Sequence, residues 1–279
     1  MPSHVARYGF CTVRHTAGHQ PWSDMNSSAR PLTDPDGMRL ALLNDDATVR
    51  TEFVAHLGAE LDQLAVALAP CFEWLDPITA AADRMGTQQA GLAAAFGLGV
   101  LDDLLVATKL LLSGKLAAAG NVVRQVIEGI AMAVLCAADA PLVIDRKKTG
   151  PVMGCYWERA WTSHPSVEAH HALKQLDWNA EQLGVARAAV ERLKHAKQHY
   201  NPFSHCGWAT IASRVARNTV GLVYLGGHFD EAKLDLYRSE MQERIGLCSV
   251  LPQFLAYLHE SLTPAAAEPA AGPNPPLSA

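Results

Sequence analysis

Residues 88–112, QQAGLAAAFGLGVLDDLLVATKLLL, and residues 115–138, KLAAAGNVVRQVIEGIAMAVLCAA, decide the fold. Both are built from Ala, Leu and other good helix formers, and the intervening Ser113-Gly114 stops one helix before the next begins. In the second stretch Val123, Val126, Ile127, Ile130 and Val134 recur at spacings of three and four, which makes them one helical stripe. The first stretch is apolar nearly all round until Asp102-Asp103, so it needs neighbours on several sides. Gly97-Leu98-Gly99 inside it reads as a place where two helices approach closely.

Working outward, Thr48–Leu75 carries Val54, Leu57, Leu61, Leu64 and Leu68 at helical spacing. A shorter helix is expected within Leu142–Thr162. Ser166–Leu183 and Val185–Tyr200 read as two helices broken at Gly184. Asp230–Leu262 is the last, with Leu234, Tyr237, Met241, Ile245, Cys248, Leu251 and Leu255 on one face and a kink expected at Pro252. Only Thr219–Leu225, closed by Gly226-Gly227, looks β-like, as a hairpin arm or an extended linker. The fold class is therefore all-α: a bundle of five to seven helices with at most a short β-hairpin near 219–227. Residues 1–45 read as an irregular lead-in, 46–262 as the bundle, and 263–279 as a disordered Ala/Pro tail.

The 279 residues are 49% hydrophobic, 7% aromatic and 18% charged, with a net charge of −5. This apolar content excludes disorder throughout, and the charge excludes a generally basic coat for nucleic acid. Six cysteines stand far apart with no CxxC pair, so a reducing, cytoplasmic setting is expected. Met1–Trp22 is polar and lacks the apolar core of a signal peptide. The apolar runs Gly91–Leu101 and Gly129–Ile144 fall short of a membrane span of about 20 residues, so no membrane partner is expected. There is no Gly-x-Ser-x-Gly elbow, Walker loop or dinucleotide fingerprint, and no cofactor is expected.

Two features could carry chemistry. Arg124 and Glu128 lie four apart on the most apolar helix and share a face. They form either a structural ion pair that fixes helix register, or an anchor whose guanidinium binds an anion. The second feature is Arg192–Trp208, with His195, His199 and His205 in eleven positions. From Arg187 to Arg217 six Lys or Arg stand against Glu191 alone, a local excess of positive charge in an acidic chain. The plain alternative is a solvated helix face and loop. His195 and His199 at i and i+4, with His205 or Cys206, are metal-like in spacing, but position 196 is alanine and no third ligand has diagnostic spacing. No metal is expected.

Tyr200-Asn201-Pro202-Phe203-Ser204-His205 resembles the signature of HEPN helical domains, many of them metal-independent ribonucleases whose motif is Arg-Asn followed, some residues on, by His. Asn201 and His205 match in spacing, while Tyr200 occupies the arginine position. The chain is also similar to bacterial proteins that pair an Arg-x-x-x-Glu helix with a later Tyr/Ser/His element. A second register joins Arg192 to His199. The resemblance implies a homodimer acting on RNA or a nucleotide in a stress or defence system, as an endoribonuclease or an RNA-binding protein. His205 would then move the proton, Tyr200 and Asn201 orient the phosphate, and Ser204 hydrogen-bond locally. Arg124, Glu128, Arg192, Lys197 and His199 would bind substrate or support the site, a cation among them replacing the missing arginine. The other classes are a non-catalytic binding or scaffold module, and a bundle with an anionic small-molecule pocket bordered by Trp208 or Tyr224.

Overall fold

The computed structural model describes residues 32–219 and 221–263 and the backbone of 12–15. Its centre is a helical hairpin, α4 (Gln88–Leu112) and α5 (Leu116–Cys136). Thr87 caps α4 by accepting from the Ala90 amide at 3.1 Å. The connecting Gly114 has φ +71°, and the backbone of His228 lies where any Cβ at this position would be, so the tight turn needs glycine twice over. The whole stripe of α5 expected from its spacing is buried, as is every residue from Ile130 to Ala137.

The rest of the chain wraps this pair. On the N-terminal side α1 (Pro35–Leu43), α2 (Ala47–Phe72) and α3 (Leu75–Met85) precede the hairpin. Helix α2 bends at Leu57, whose φ of −124° is not helical, immediately before Gly58. On the C-terminal side α10 (Leu234–Cys248) and α11 (Leu251–Ser261) return to cover it. Gly97 of α4 has no Cβ where Leu258 of α11 packs, which is the close helix approach the glycines suggested. Gly99 has no such neighbour.

Between these halves lie β2 (Leu142–Lys147), β3 (Gly150–Gly154), α6 (Tyr156–Trp161), α7 (Ala169–Asn179), α8 (Arg187–Tyr200), α9 (Trp208–Arg214) and β4 (Leu222–Leu225). Strands β2 and β3 form an antiparallel hairpin running from Leu142 opposite Gly154 to Lys147 opposite Gly150. Here the expected helix within Leu142–Thr162 is corrected: a hairpin comes first, and only six residues are helical. The reason is local. Leu142 and Ile144 are buried with Val143 half-exposed between them, an alternation of period two, and Gly150 at φ +127° makes the return. Helix α7 then pins the hairpin. Asn179 takes the Val143 amide at 2.8 Å and donates to the Val143 carbonyl at 2.9 Å, while Gln175 donates to Ile144 at 2.7 Å and accepts from the buried Tyr156 hydroxyl at 2.9 Å.

The fold is an all-α bundle with small β additions. Eleven α-helices are seen among the described residues, more than the five to seven expected, because long patterned stretches are divided into separate helices. Thr48–Leu75 ends in a break between α2 and α3. The kink expected at Pro252 is a full break, with Val250 capping α11 and Pro252 in its first turn. The β-like run near 219–227 supplies strand β4, which pairs in parallel with β1 (Thr12–His15) and meets Val215 through one antiparallel bridge. Of residues 1–45, expected to be irregular, Thr12–His15 form β1 and Pro35–Leu43 form α1, while 1–11 and 16–31 lie outside the described residues. Of the expected tail, all but Thr263 lies outside the described residues.

The expectation that the apolar runs fall short of a membrane span is revised. Helix α4 spans Gln88–Leu112 as read, passing through Asp102-Asp103 with Asp102 exposed and Asp103 half-buried. Burial, then the neighbouring Asp102, pushes the Asp103 carboxyl up. Helices α4 and α5, and the stretch from Pro35 to Met85, are each long and apolar enough to cross a membrane by length and composition.

Candidate functional site

Helix α8 carries most of the residues singled out from the sequence, and its two faces lead to different places. Val190, Leu193, Ala196 and Tyr200 recur at spacings of three and four and form its buried face. The Tyr200 ring is therefore enclosed, and burial pushes its hydroxyl up, out of the range of acid–base work near neutrality. Its oxygen lies 3.4 Å from Nη1 of Arg244.

Arg244 and Glu240 are both fully buried, one turn apart on α10. Arg244 Nη1 donates to Glu240 Oε2 at 2.9 Å, and the other carboxylate oxygen meets His199 Nε2 at 2.8 Å. Burial alone would raise the Glu240 carboxyl; the His199 hydrogen bond and the Arg244 charge outweigh it and hold the group below its usual range. The hydrogen bond to Glu240 likewise raises His199 against the opposing effect of burial. One turn further on, Arg192 donates to the Glu243 carboxylate at 3.0 Å and to the Gly246 carbonyl at 3.2 Å, with His195 Nδ1 3.3 Å from its Nη1. The second motif register, Arg192 with His199, is thus committed to bonding α8 to α10. Each of the two histidines with metal-like spacing faces a different carboxylate. No group of three or more His, Cys, Asp or Glu among the described residues is placed to hold a metal.

On the other side of α8, the expected Arg124–Glu128 pair forms at 3.1 Å, both side chains part-buried. Lys197 joins it from α8, 3.6 Å from the same carboxylate oxygen, and donates to the His170 carbonyl at 2.9 Å. Burial, then Arg124, pulls the Lys197 ammonium down, against the pull of Glu128. Above this contact a shallow groove of about 270 Å³ runs between α7 and α8, lined by Lys174, Asp177, Lys194, Lys197, Gln198 and Asn201. Lys194 lies 2.9 Å from both Asp177 and Glu191, and Lys174 lies over the Trp178 ring at 4.9 Å.

The HEPN-like residues are divided by the end of α8. Asn201–Phe203 form a 3₁₀ turn, and Ser204 Oγ donates to the Asn201 carbonyl at 2.7 Å, the local bond expected of it. Asn201 and His205 are exposed, and the His205 imidazole makes no hydrogen bond, ion pair or ring contact among the described residues. Beside it Trp208 is 81% exposed. Tyr200 thus faces the core while Asn201 and His205 face solvent. Arg124, Arg192 and Arg244 are all engaged with carboxylates.

Sequence reading overlooked Glu240 and Arg244. The signal was present: they fall among Tyr237, Met241, Leu247 and Cys248 on the buried face of α10, and charged residues that continue an apolar stripe must be paired. No protein-family model, no curated protein and no solved structure matches the chain.

Proposed function

We propose that the chain is an RNA-binding helical module whose contact surface is the lysine groove between α7 and α8. The observation that supports this reading is the meeting of Lys174, Lys194 and Lys197 with the amide side chains of Gln198 and Asn201 along one open groove. A phosphodiester backbone needs an open track with cations and neutral donors and does not need an enclosed pocket. The groove includes two residues of the HEPN-like proposal, Lys197 and Asn201. Asp177 shares the groove and, with Glu191, pairs Lys194, while Glu128, which Lys197 shares with Arg124, positions that ammonium; Lys174 is the groove lysine with no ion pair among the described residues.

The test is binding of a short single-stranded oligoribonucleotide at several salt concentrations. In the double variant Lys174→Ala/Lys194→Ala, affinity falls and the slope of log K against log salt drops by about 0.7 per lost phosphate contact. An unchanged slope overturns the reading. The second reading, a ribonuclease completed across a homodimer, is favoured by the exposed and unengaged His205 imidazole beside exposed Trp208 and Ile211. RNA cleavage that disappears in His205→Ala while folding is retained selects it over simple binding.

A further inference from the structure

Lys174 borders two hollows at once. On one side it lines the groove between α7 and α8. On the other it lines a cavity of about 200 Å³ between α7 and the β2–β3 hairpin, together with Asp145, Ser166, His171 and Trp178. The packing that pins the hairpin to α7 creates this cavity. Gln175, buried in its lining, spends its amide on the Ile144 and Ser166 carbonyls and the Tyr156 hydroxyl, so it holds the walls and offers an entering molecule nothing.

The cations free to meet phosphate lie on the hairpin side. In the groove, Lys194 is held by Asp177 and Glu191, and Lys197 by Glu128. Lys174 has no ion pair among the described residues, and neither do Arg146, Lys147 and Lys148, which are consecutive and exposed where β2 reaches its turn. Arg146 and Lys174 both lie over the Trp178 ring, at 5.0 and 4.9 Å, which places two positive charges beside the cavity. In the sequence the run is only three basic residues after Asp145; docking of the hairpin on α7 adds Lys174 to it.

The polar groups of the cavity select an edge pattern. Asp145 Oδ1 accepts from the Arg146 amide at 2.8 Å, and the carboxylate makes no ion pair among the described residues. An ionised carboxylate only accepts and the Lys174 ammonium only donates, while the Trp178 indole supplies an aromatic wall. A planar ring with an amine at one end of its edge and acceptors beside it meets both charges. Cytosine presents that order, with its N4 amine followed by N3 and O2. Uracil presents a carbonyl in place of the amine, which would set one acceptor against another at Asp145. The volume suits one ring, so a polynucleotide backbone would stay outside, on the cations.

We propose that single-stranded RNA runs from the lysine groove across Lys174 to the Arg146–Lys148 turn and places one cytosine base in this cavity, its amine on Asp145. The inference rests on the RNA reading of the groove and adds a base preference to it. Fluorescein-labelled oligocytidylate and oligouridylate are titrated with the full chain and followed by anisotropy. Oligocytidylate binds about tenfold more tightly. Asp145→Asn retains an acceptor for the Arg146 amide and can turn its own amide nitrogen toward a uracil carbonyl, so it abolishes the difference. Loss of negative charge alone would raise both affinities together, which makes the ratio the readout. Lys147→Ala/Lys148→Ala weakens both oligomers alike, leaves the ratio unchanged and lowers the slope of log K against log salt by about 0.7 per lost phosphate contact. Equal affinities in the wild type, or a ratio untouched by Asp145→Asn, overturn the base pocket and leave the groove reading standing. An unchanged salt slope in the hairpin variant overturns the track. Binding of neither oligomer overturns both readings.

Discussion

Two of the Arg/Glu pairs at i, i+4 spacing among the described residues do opposite things. Arg124–Glu128 on α5 is 19% and 13% exposed at its side chains, and shares its carboxylate with Lys197. Glu240–Arg244 on α10 is 0% exposed at both, and shares its carboxylate with His199. The spacing alone cannot distinguish them; the residues around them do. Glu128 still sees water, so its partners can exchange and its neighbourhood can serve as a binding surface. Glu240 has lost its hydration entirely, so each of its oxygens must be satisfied by a fixed donor, and α8 is held in place by the result.

The comparison breaks most visibly if charge is removed from the buried member. Glu240→Gln leaves the Arg244 guanidinium buried without a counter-ion, and chemical denaturation should show a loss of about 3–5 kcal/mol. A loss near zero would mean that the two pairs are equivalent after all. The same substitution in the other pair, Glu128→Gln, should cost no more than about 1 kcal/mol, because water and Lys197's other contacts replace what is lost.

A subtler test uses pH. His199 has a folded-state pKa raised by Glu240, above its value in the unfolded chain. Its contribution to stability is therefore fully present below the unfolded value near 6.5 and is lost as pH rises through the raised folded one. Stability measured across that window should decline in the wild type and lose this component of its slope in His199→Gln. An identical slope in the two proteins would show that the His199–Glu240 contact is not energetically coupled to folding.

The sequence carried the architecture more clearly than the site, for physical reasons visible in individual residues. Ala- and Leu-rich α4 and α5 must be helical and central, and they are. The 142–154 stretch was harder, because a short apolar run such as Leu142–Ile144 fits a helix turn or a strand until the glycine return at Gly150 is given weight. Arg124–Glu128 was legible because charge stands out on an apolar helix. Glu240–Arg244 was not, since α10 also bears exposed charges such as Arg238 and only the three-and-four spacing with Tyr237 and Met241 separates inside from outside. Tyr200 teaches the same lesson from the other direction. The HEPN-like resemblance gives it a phosphate to orient, while its spacing from Leu193 and Ala196 assigns it to the core.

The contact between Gly97 and Leu258 also has a biosynthetic consequence. Helices α4 and α5 leave the ribosome well before α11, the element that closes over Gly97. Throughout that interval the growing chain displays two membrane-length apolar helices whose cover has not yet been made. Chaperone capture during synthesis, and aggregation of chains truncated before Leu251, follow from the order of the elements rather than from the stability of the finished bundle.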